Sequence, residues 1–177
     1  MQRPNSRNPK PARPLIVAIA MFLMLGCTDQ VHAQGQQIEP LGRSTVGSKL
    51  AEVRSLKRSE NCLIEGGNAD CTFTDTNGVS YIVLESSVTT VTVTDKSAGP
   101  GVKLPFGLKF GDSLDAAARK LVSSGKTWVL GANSETSSGL VLGSSDRYVG
   151  KNGWDFNVEV RFGNGKLVGI SYNAGTI

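Results

Sequence analysis

The stretch WDFNVEVRF, Trp154 to Phe162, alternates without a break. Trp154, Phe156, Val158, Val160 and Phe162 occupy every second position, and Asp155, Asn157, Glu159 and Arg161 fall between them. Successive side chains on a strand point to opposite faces, so these residues predict a strand with one apolar and one polar face. One face is core; the other meets water or a partner. Asn164-Gly165 follows at once, a two-residue hairpin signal that returns the chain into a second strand, KLVGISY.

The same grammar appears earlier. CTFTD, VSYIVLE and SVTTVTVTD are rich in Thr, Val, Ile and Tyr, and Asn77-Gly78 joins the first two as a hairpin. Ahead of them, STVGSKLAEVRSLKR predicts a short helix. Ser48 is placed to cap it, Leu50, Val53 and Leu56 share one face, and Lys57 and Arg58 suit its C-terminal dipole. KSAGPGVKLP, residues 96–105, interrupts with two glycines and two prolines and reads as a linker. KFGDSLDAAARKLVSSG then predicts a second helix, with Asp112 as cap, Asp115 in the first turn and Leu114, Ala117, Ala118 and Leu121 on one face. KTWVL is a candidate strand, and Gly131 to Ser145 reads as an irregular loop around LVL.

Laid over each other, TVGSKLAEV and KFGDSLDAA place Gly47 on Gly111, Ser48 on Asp112 and Leu50 on Leu114, an offset of 64 residues (111 − 47). The expected fold class is therefore α+β, with two tandem units, each a short N-terminal helix followed by an antiparallel β-meander. Their expected bounds are 43–95 and 106–177, with 34–42 as a flexible tether. The halves differ in charge: residues 43–95 carry 5 basic and 7 acidic side chains, residues 103–177 carry 9 and 6, a dipole of −2 against +3.

Arg3, Arg7, Lys10 and Arg13, then an apolar run from Leu15 to Leu25, then small residues, have the order of a secretory signal peptide. The run is shorter than the roughly 20 residues that span a bilayer. Two endings compete: Val31-His32-Ala33 fits cleavage after residue 33, and Leu25-Gly26-Cys27 resembles a lipobox, with a lipoprotein signal of 1–26 and lipidation at Cys27. Either ending removes Cys27 from disulfide chemistry and leaves Cys62 and Cys71. From Gln34 onward there are 15 Lys+Arg (19 − 4) and 14 Asp+Glu (15 − 1), a net charge of +1. That balance, with no basic run, argues against nucleic acid as a partner.

The inventory for catalysis is thin. The one histidine, His32, lies at the cleavage site, so a chain cut after Ala33 has no Ser-His or Cys-His pair and no histidine-bearing zinc site. Two cysteines fall short of four metal ligands, and Cys-x8-Cys is not the spacing of an exchanging redox pair. The expected state is a structural disulfide between Cys62 and Cys71, worth about 2.7 kcal/mol by loop-closure entropy and pinning the end of the first helix to the first strand. Asp75, Asp146, Asp155 and Glu159 could in principle serve carboxylate-only hydrolysis, but such residues on alternating strands read as a solvated face. We expect no enzyme activity, no cofactor and no metal.

VGSKLAEVRSLKRSENCLIEGGNADC resembles the first repeat of the β-lactamase inhibitory protein family: a Gly before a cap, a short helix, Glu-Asn-Cys, a Gly-Gly loop and a second Cys entering a strand. FGDSLDAAARKL through VEVRFGNGKLVGISY is similar to the second repeat of that family, and also to the single unit of outer-membrane assembly lipoproteins of the SmpA/OmlA type. LGSSDRYVGKNGWDF resembles the Ser-Gly-rich, Tyr-bearing loop of bacterial lysozyme inhibitors. The resemblance implies a sheet that grips another protein, with the hairpin loop Thr74 to Ser80 entering the partner and Asp75, Asn77 and Gly78 at its tip. Tyr81, Trp128 and Tyr148 are then candidate aromatic anchors, with Arg147 and Lys151 beside Tyr148 as steering charges. The second unit lacks cysteines, so the target does not transfer. The expected function is an exported protein of a Gram-negative periplasm that blocks a hydrolase or toxin by stoichiometric binding. The alternative is an envelope assembly lipoprotein held to the outer membrane through Cys27, the one case that brings a membrane partner.

Overall fold

In a computed structural model, residues 36–65, 68–132 and 139–175 are described. The signal segment with Cys27 and His32, and the Gly66-Gly67 turn, lie outside them. The element order is α1 (Leu50–Arg54), β1 (Lys57–Glu65), β2 (Asn68–Asp75), β3 (Ser80–Leu84), β4 (Ser87–Thr94), α2 (Leu114–Ser123), β5 (Trp128–Ala132), β6 (Gly139–Ser144), β7 (Tyr148–Val149), β8 (Asp155–Gly163) and β9 (Lys166–Ala174). The strands form one antiparallel sheet in the order β1-β2-β3-β4-β9-β8-β6-β5, with β7 alongside β8.

This corrects the expected α+β class with two tandem helix-plus-meander units. β4 pairs with β9 from Thr90↔Asn173 to Thr94↔Gly169, so the two halves share one sheet. The rung Phe73–Tyr81–Val91–Tyr172–Val158 crosses that join without interruption, and every member is buried. Val53, Ala117 and Leu121 from the helices, Leu41 and Val46 from the N-terminal segment, and Leu104 and Leu108 from the middle connection belong to the same core cluster. A meander of four short strands has one apolar face and little to cover it; joining edges removes two exposed strand edges and lets one core serve both halves.

Local differences follow from the same packing. The first helix is a single five-residue turn, too short to be stable alone. Lys57 and Arg58 belong to β1: Lys57 pairs with Asp75 of β2, Ser59 with Thr74, and Arg58 lies at the register shift between them. Ser48 does not cap this helix; it is buried, and its Oγ accepts from Thr45 N at 3.2 Å. Ser113, not Asp112, caps α2, accepting from Ala116 N at 3.2 Å. Asp112 accepts instead from Lys109 N at 2.8 Å and Lys120 Nζ at 2.6 Å, and the lysine holds its carboxyl below the usual range. The LVL segment read as loop is strand β6, paired with both β5 and β8. The described part of the expected tether is docked: Gln36 bridges to Tyr148, Leu41 is buried, and Tyr172 OH donates to the Glu39 carbonyl at 2.7 Å.

The β3–β4 hairpin turns on Glu85 (φ 49°) and Ser86 (φ 65°), both in the left-handed region with no glycine. Ser86 O accepts from Leu50 N at 2.9 Å, which ties the turn to the start of α1. Two-residue hairpins with positive φ at both positions favour Asn-Gly. Replacing Glu85-Ser86 by Asn-Gly is expected to stabilise the protein by about 1 kcal/mol, read as a higher urea midpoint with an unchanged slope.

Candidate functional site

Strand parity sorts the side chains into two sets. Cys71, Phe73, Tyr81, Val83, Val91, Val93, Val158, Val160, Ile170 and Tyr172 point into the core. The opposite face is built by the alternate residues. One rung reads Thr72–Ile82–Thr90–Asn173–Asn157, the next Thr74–Ser80–Thr92–Ser171–Glu159, and a third Thr94–Gly169–Arg161–Val141. Thr, Val and Ile hold the strands extended, and the hydroxyls make this second face polar without burying a charge.

Neighbouring hydroxyls bond across the strands. Thr74 Oγ1 and Ser80 Oγ are 3.3 Å apart, Thr92 Oγ1 and Ser171 Oγ 3.2 Å, and Arg161 donates to Ser171 Oγ at 3.0 Å. Glu159 and Arg161 lie 3.9 Å apart as the charged pair of the face. Ile82, Leu84 and Val129 are exposed apolar points flanking the hydroxyl rows. A patch with bonded hydroxyls at its centre and apolar points beside them suits contact with a protein surface.

Most of the sequence-derived contact residues lie elsewhere. Asp75 is 1% exposed and on the core side of β2. Its carboxylate accepts from Asn77 N at 2.9 Å, Val79 N at 3.0 Å and Tyr81 OH at 2.9 Å, so it organises its own turn. Tyr81 is buried beneath it; burial and the adjacent carboxylate push its phenol well above the ordinary range. Gly78 is buried with φ 76°, and a Cβ there would stand 1.7 Å from the Ser97 carbonyl oxygen. Asn77 O accepts from Gly99 N at 2.7 Å. The Thr74–Ser80 loop is therefore clamped by residues 97–99, the expected linker.

Tyr148 is 1% exposed and stacks on Phe156, with burial raising its phenol. Trp128 is half-buried, edge-on to Phe106 at 5.5 Å. Lys151 is paired with Glu52, whose carboxyl it holds below the usual range, and its N–H donates to Val46 O. Of the proposed contact residues, Arg147 and Lys151 have largely exposed side chains, at 69% and 51%. The aromatic contacts of Trp128 and Tyr148 are with Phe106 and Phe156 in the same half of the chain, and the hydroxyl of Tyr81 is held by Asp75 in the other.

Cys62 and Cys71 form the expected disulfide. They are directly opposed in the β1–β2 register, so the bond ties two paired strands and does not pin the helix end to a strand. Glu60 lies beside them, its carboxylate 3.4 Å from Cys62 Sγ, and these three residues bring ligand-type atoms within 4.8 Å of one another. Bonded to each other, the sulfurs are not the thiolates that ligate metal.

Asn157, Asn173 and the Thr/Ser rows were not singled out by residue type, since hydroxyls and amides carry no motif. Their parity relative to Val158, Val91 and Phe73 was the available signal. No protein-family profile, curated protein or solved structure matches the chain.

Proposed function

We propose that this is an exported protein-binding module that blocks a hydrolase or toxin by stoichiometric contact, using the open face of the sheet. The observation that carries the reading is that face: hydroxyl rows on β2, β3, β4 and β9, with Ile82 and Val129 as exposed apolar points. Two further features support it. The disulfide suits an oxidising compartment, and the sequence carries a single histidine, at the end of the signal-like segment. The likeness to the β-lactamase inhibitory proteins belongs to the same proposal, with the sheet face in place of the hairpin tip as gripping surface. The Leu25-Gly26-Cys27 sequence supports the alternative of a lipid-anchored assembly factor. The mass of the mature protein decides between them: a start at Gln34 removes the anchor, and a lipidated Cys27 retains it.

The full chain, expressed with its own N-terminal segment and used to capture partners from envelope extract, is expected to retain one protein at a fixed ratio and to inhibit it without turnover. Thr92→Arg places a charged, bulky side chain at the centre of the face, where Thr92 meets Ser171. It should weaken capture by at least about 100-fold, the loss of a central contact, while leaving the melting temperature within about 3 °C. Undiminished capture by this variant, or turnover by the purified protein, would sink the reading.

A further inference from the structure

Among the described residues the sheet ends at β1 on one side and β5 on the other, and the two edges are protected unequally. The unpaired N–H and C=O groups of an edge accept another strand unless charges, prolines or bulges blunt it. β1 carries Lys57, Arg58 and Glu60, with a bulge between Lys57 and Ser59. β5 reads WVLGA, with no charge, no proline and no break in its register with β6. Its apolar residues also end an unfinished row. The core-side rung Val93–Ile170–Val160–Leu142–Leu130 runs outward from β4 to β5. Val93, Ile170 and Val160 are buried and Leu142 is partly buried, whereas Leu130 is 64% exposed. On the opposite face of the same strand, Val129 is 56% exposed.

We propose that β5 pairs with β5 of a second copy of this chain, antiparallel about a two-fold axis through Leu130. An edge row of backbone donors and acceptors is matched by another extended strand, and the sequence of β5 suits its own copy. With the register centred on Leu130, that residue meets its own counterpart, Trp128 meets Ala132 and Val129 meets Gly131, so Trp and Val each face a small residue. Like charges do not oppose one another, because residues 127–133 carry none. A two-fold perpendicular to the sheet keeps both core-side faces on one side, so the exposed end of each Leu130 row covers the other. The pairing is independent of the protein-binding reading above. It leaves the Thr and Ser rows open and sets two of them on one continuous sheet, an arrangement suited to bivalent contact. Five paired residues make a small interface, which places the dissociation constant at about 1–100 µM.

The test uses the protein purified after export with its own N-terminal segment. Sedimentation over a concentration series is expected to show a monomer–dimer equilibrium. Leu130→Lys sets two like charges across the two-fold axis and should weaken the dimer by about tenfold or more. At so exposed a position it should leave the melting temperature within about 3 °C. Cysteine substitutions read the register directly. In Leu130→Cys the two thiols are directly opposed, within the Cα–Cα reach of a disulfide of about 4.4–6.8 Å, so mild oxidation should link two chains. Val129→Cys, comparably exposed, meets its counterpart two residues out of register and should stay at the wild-type background.

A protein that stays monomeric throughout the series, or a dimer indifferent to Leu130→Lys, would overturn the proposal. Cross-linking of Val129→Cys as fast as that of Leu130→Cys would overturn it too, by showing a different contact. A monomer that loses capture of a separate protein on Leu130→Lys would assign the edge to that protein's strand and equally sink the two-fold pairing. Capture through the open face is read separately, with Thr92→Arg. Loss of the dimer in Leu130→Lys with capture retained supports both, and failure of the Thr92 test leaves the sedimentation result standing.

Discussion

Asp75→Ala is expected to destabilise the protein by about 3–5 kcal/mol, one of the two largest effects of any substitution considered. The carboxylate is the common acceptor for two backbone N–H groups and the Tyr81 hydroxyl, all within 3.0 Å. Alanine leaves these donors without their acceptor in a region closed by Gly42, Val79 and Tyr81. Gly42 approaches the same point so closely that a Cβ there would lie 2.2 Å from Tyr81 OH, which leaves little room for a replacement water. Tyr81→Phe removes one donor and keeps the acceptor, so it should cost only about 1–2 kcal/mol. Urea unfolding of both variants checks the order. A folded, fully stable Asp75→Ala that had lost only partner binding would return Asp75 to the exposed loop tip that the sequence suggested.

Tyr172→Ala should cost a similar amount, about 4–5 kcal/mol. The side chain is fully buried on β9, between Val91 of β4 and Val158 of β8 in the register. Its ring stacks on Phe156 at 5.0 Å, and its hydroxyl donates to the Glu39 carbonyl at 2.7 Å. Because it sits where the two halves of the sheet join, its loss should be felt on both sides. Hydrogen exchange is the suitable measurement, with β2 and β3 amides expected to exchange faster in step with those of β8, through one cooperative transition. Independent units would behave otherwise: exchange in residues 57–94 would stay at its wild-type rate while the second half opened. That outcome would contradict a single core.

Much of the strand layout was legible because its signals are short-range. The alternation in Trp154 to Phe162 sorts correctly, with Phe156, Val158, Val160 and Phe162 buried and the intervening residues on the other face. Asn164-Gly165 turns as expected, with φ 51° and 72°. Strand β6 was hidden because GLVLGS, flanked by Gly and Ser, has no alternation of its own. Its extended form depends on pairing with β8, some twenty residues on. Asp75 was misplaced for a different reason. Aspartate beside Asn-Gly has the composition of an exposed turn, yet its parity with Cys71 and Phe73 already put it on the buried side of β2.

The sequence alone determined the pairing of Cys62 with Cys71, the position of α2, the hairpin turns at residues 77–78 and 164–165, and which side chains share a face within a strand. All of these depend on contacts or conformational preferences spanning about ten residues or fewer. Only the tertiary structure decided that β4 joins β9 and that Tyr148 is interior. Those outcomes are set by contacts such as Thr92 with Ser171, 79 residues apart. At that distance the choice between two free strand edges is made by the shape and apolar area that the whole core can bury, a property of no single segment.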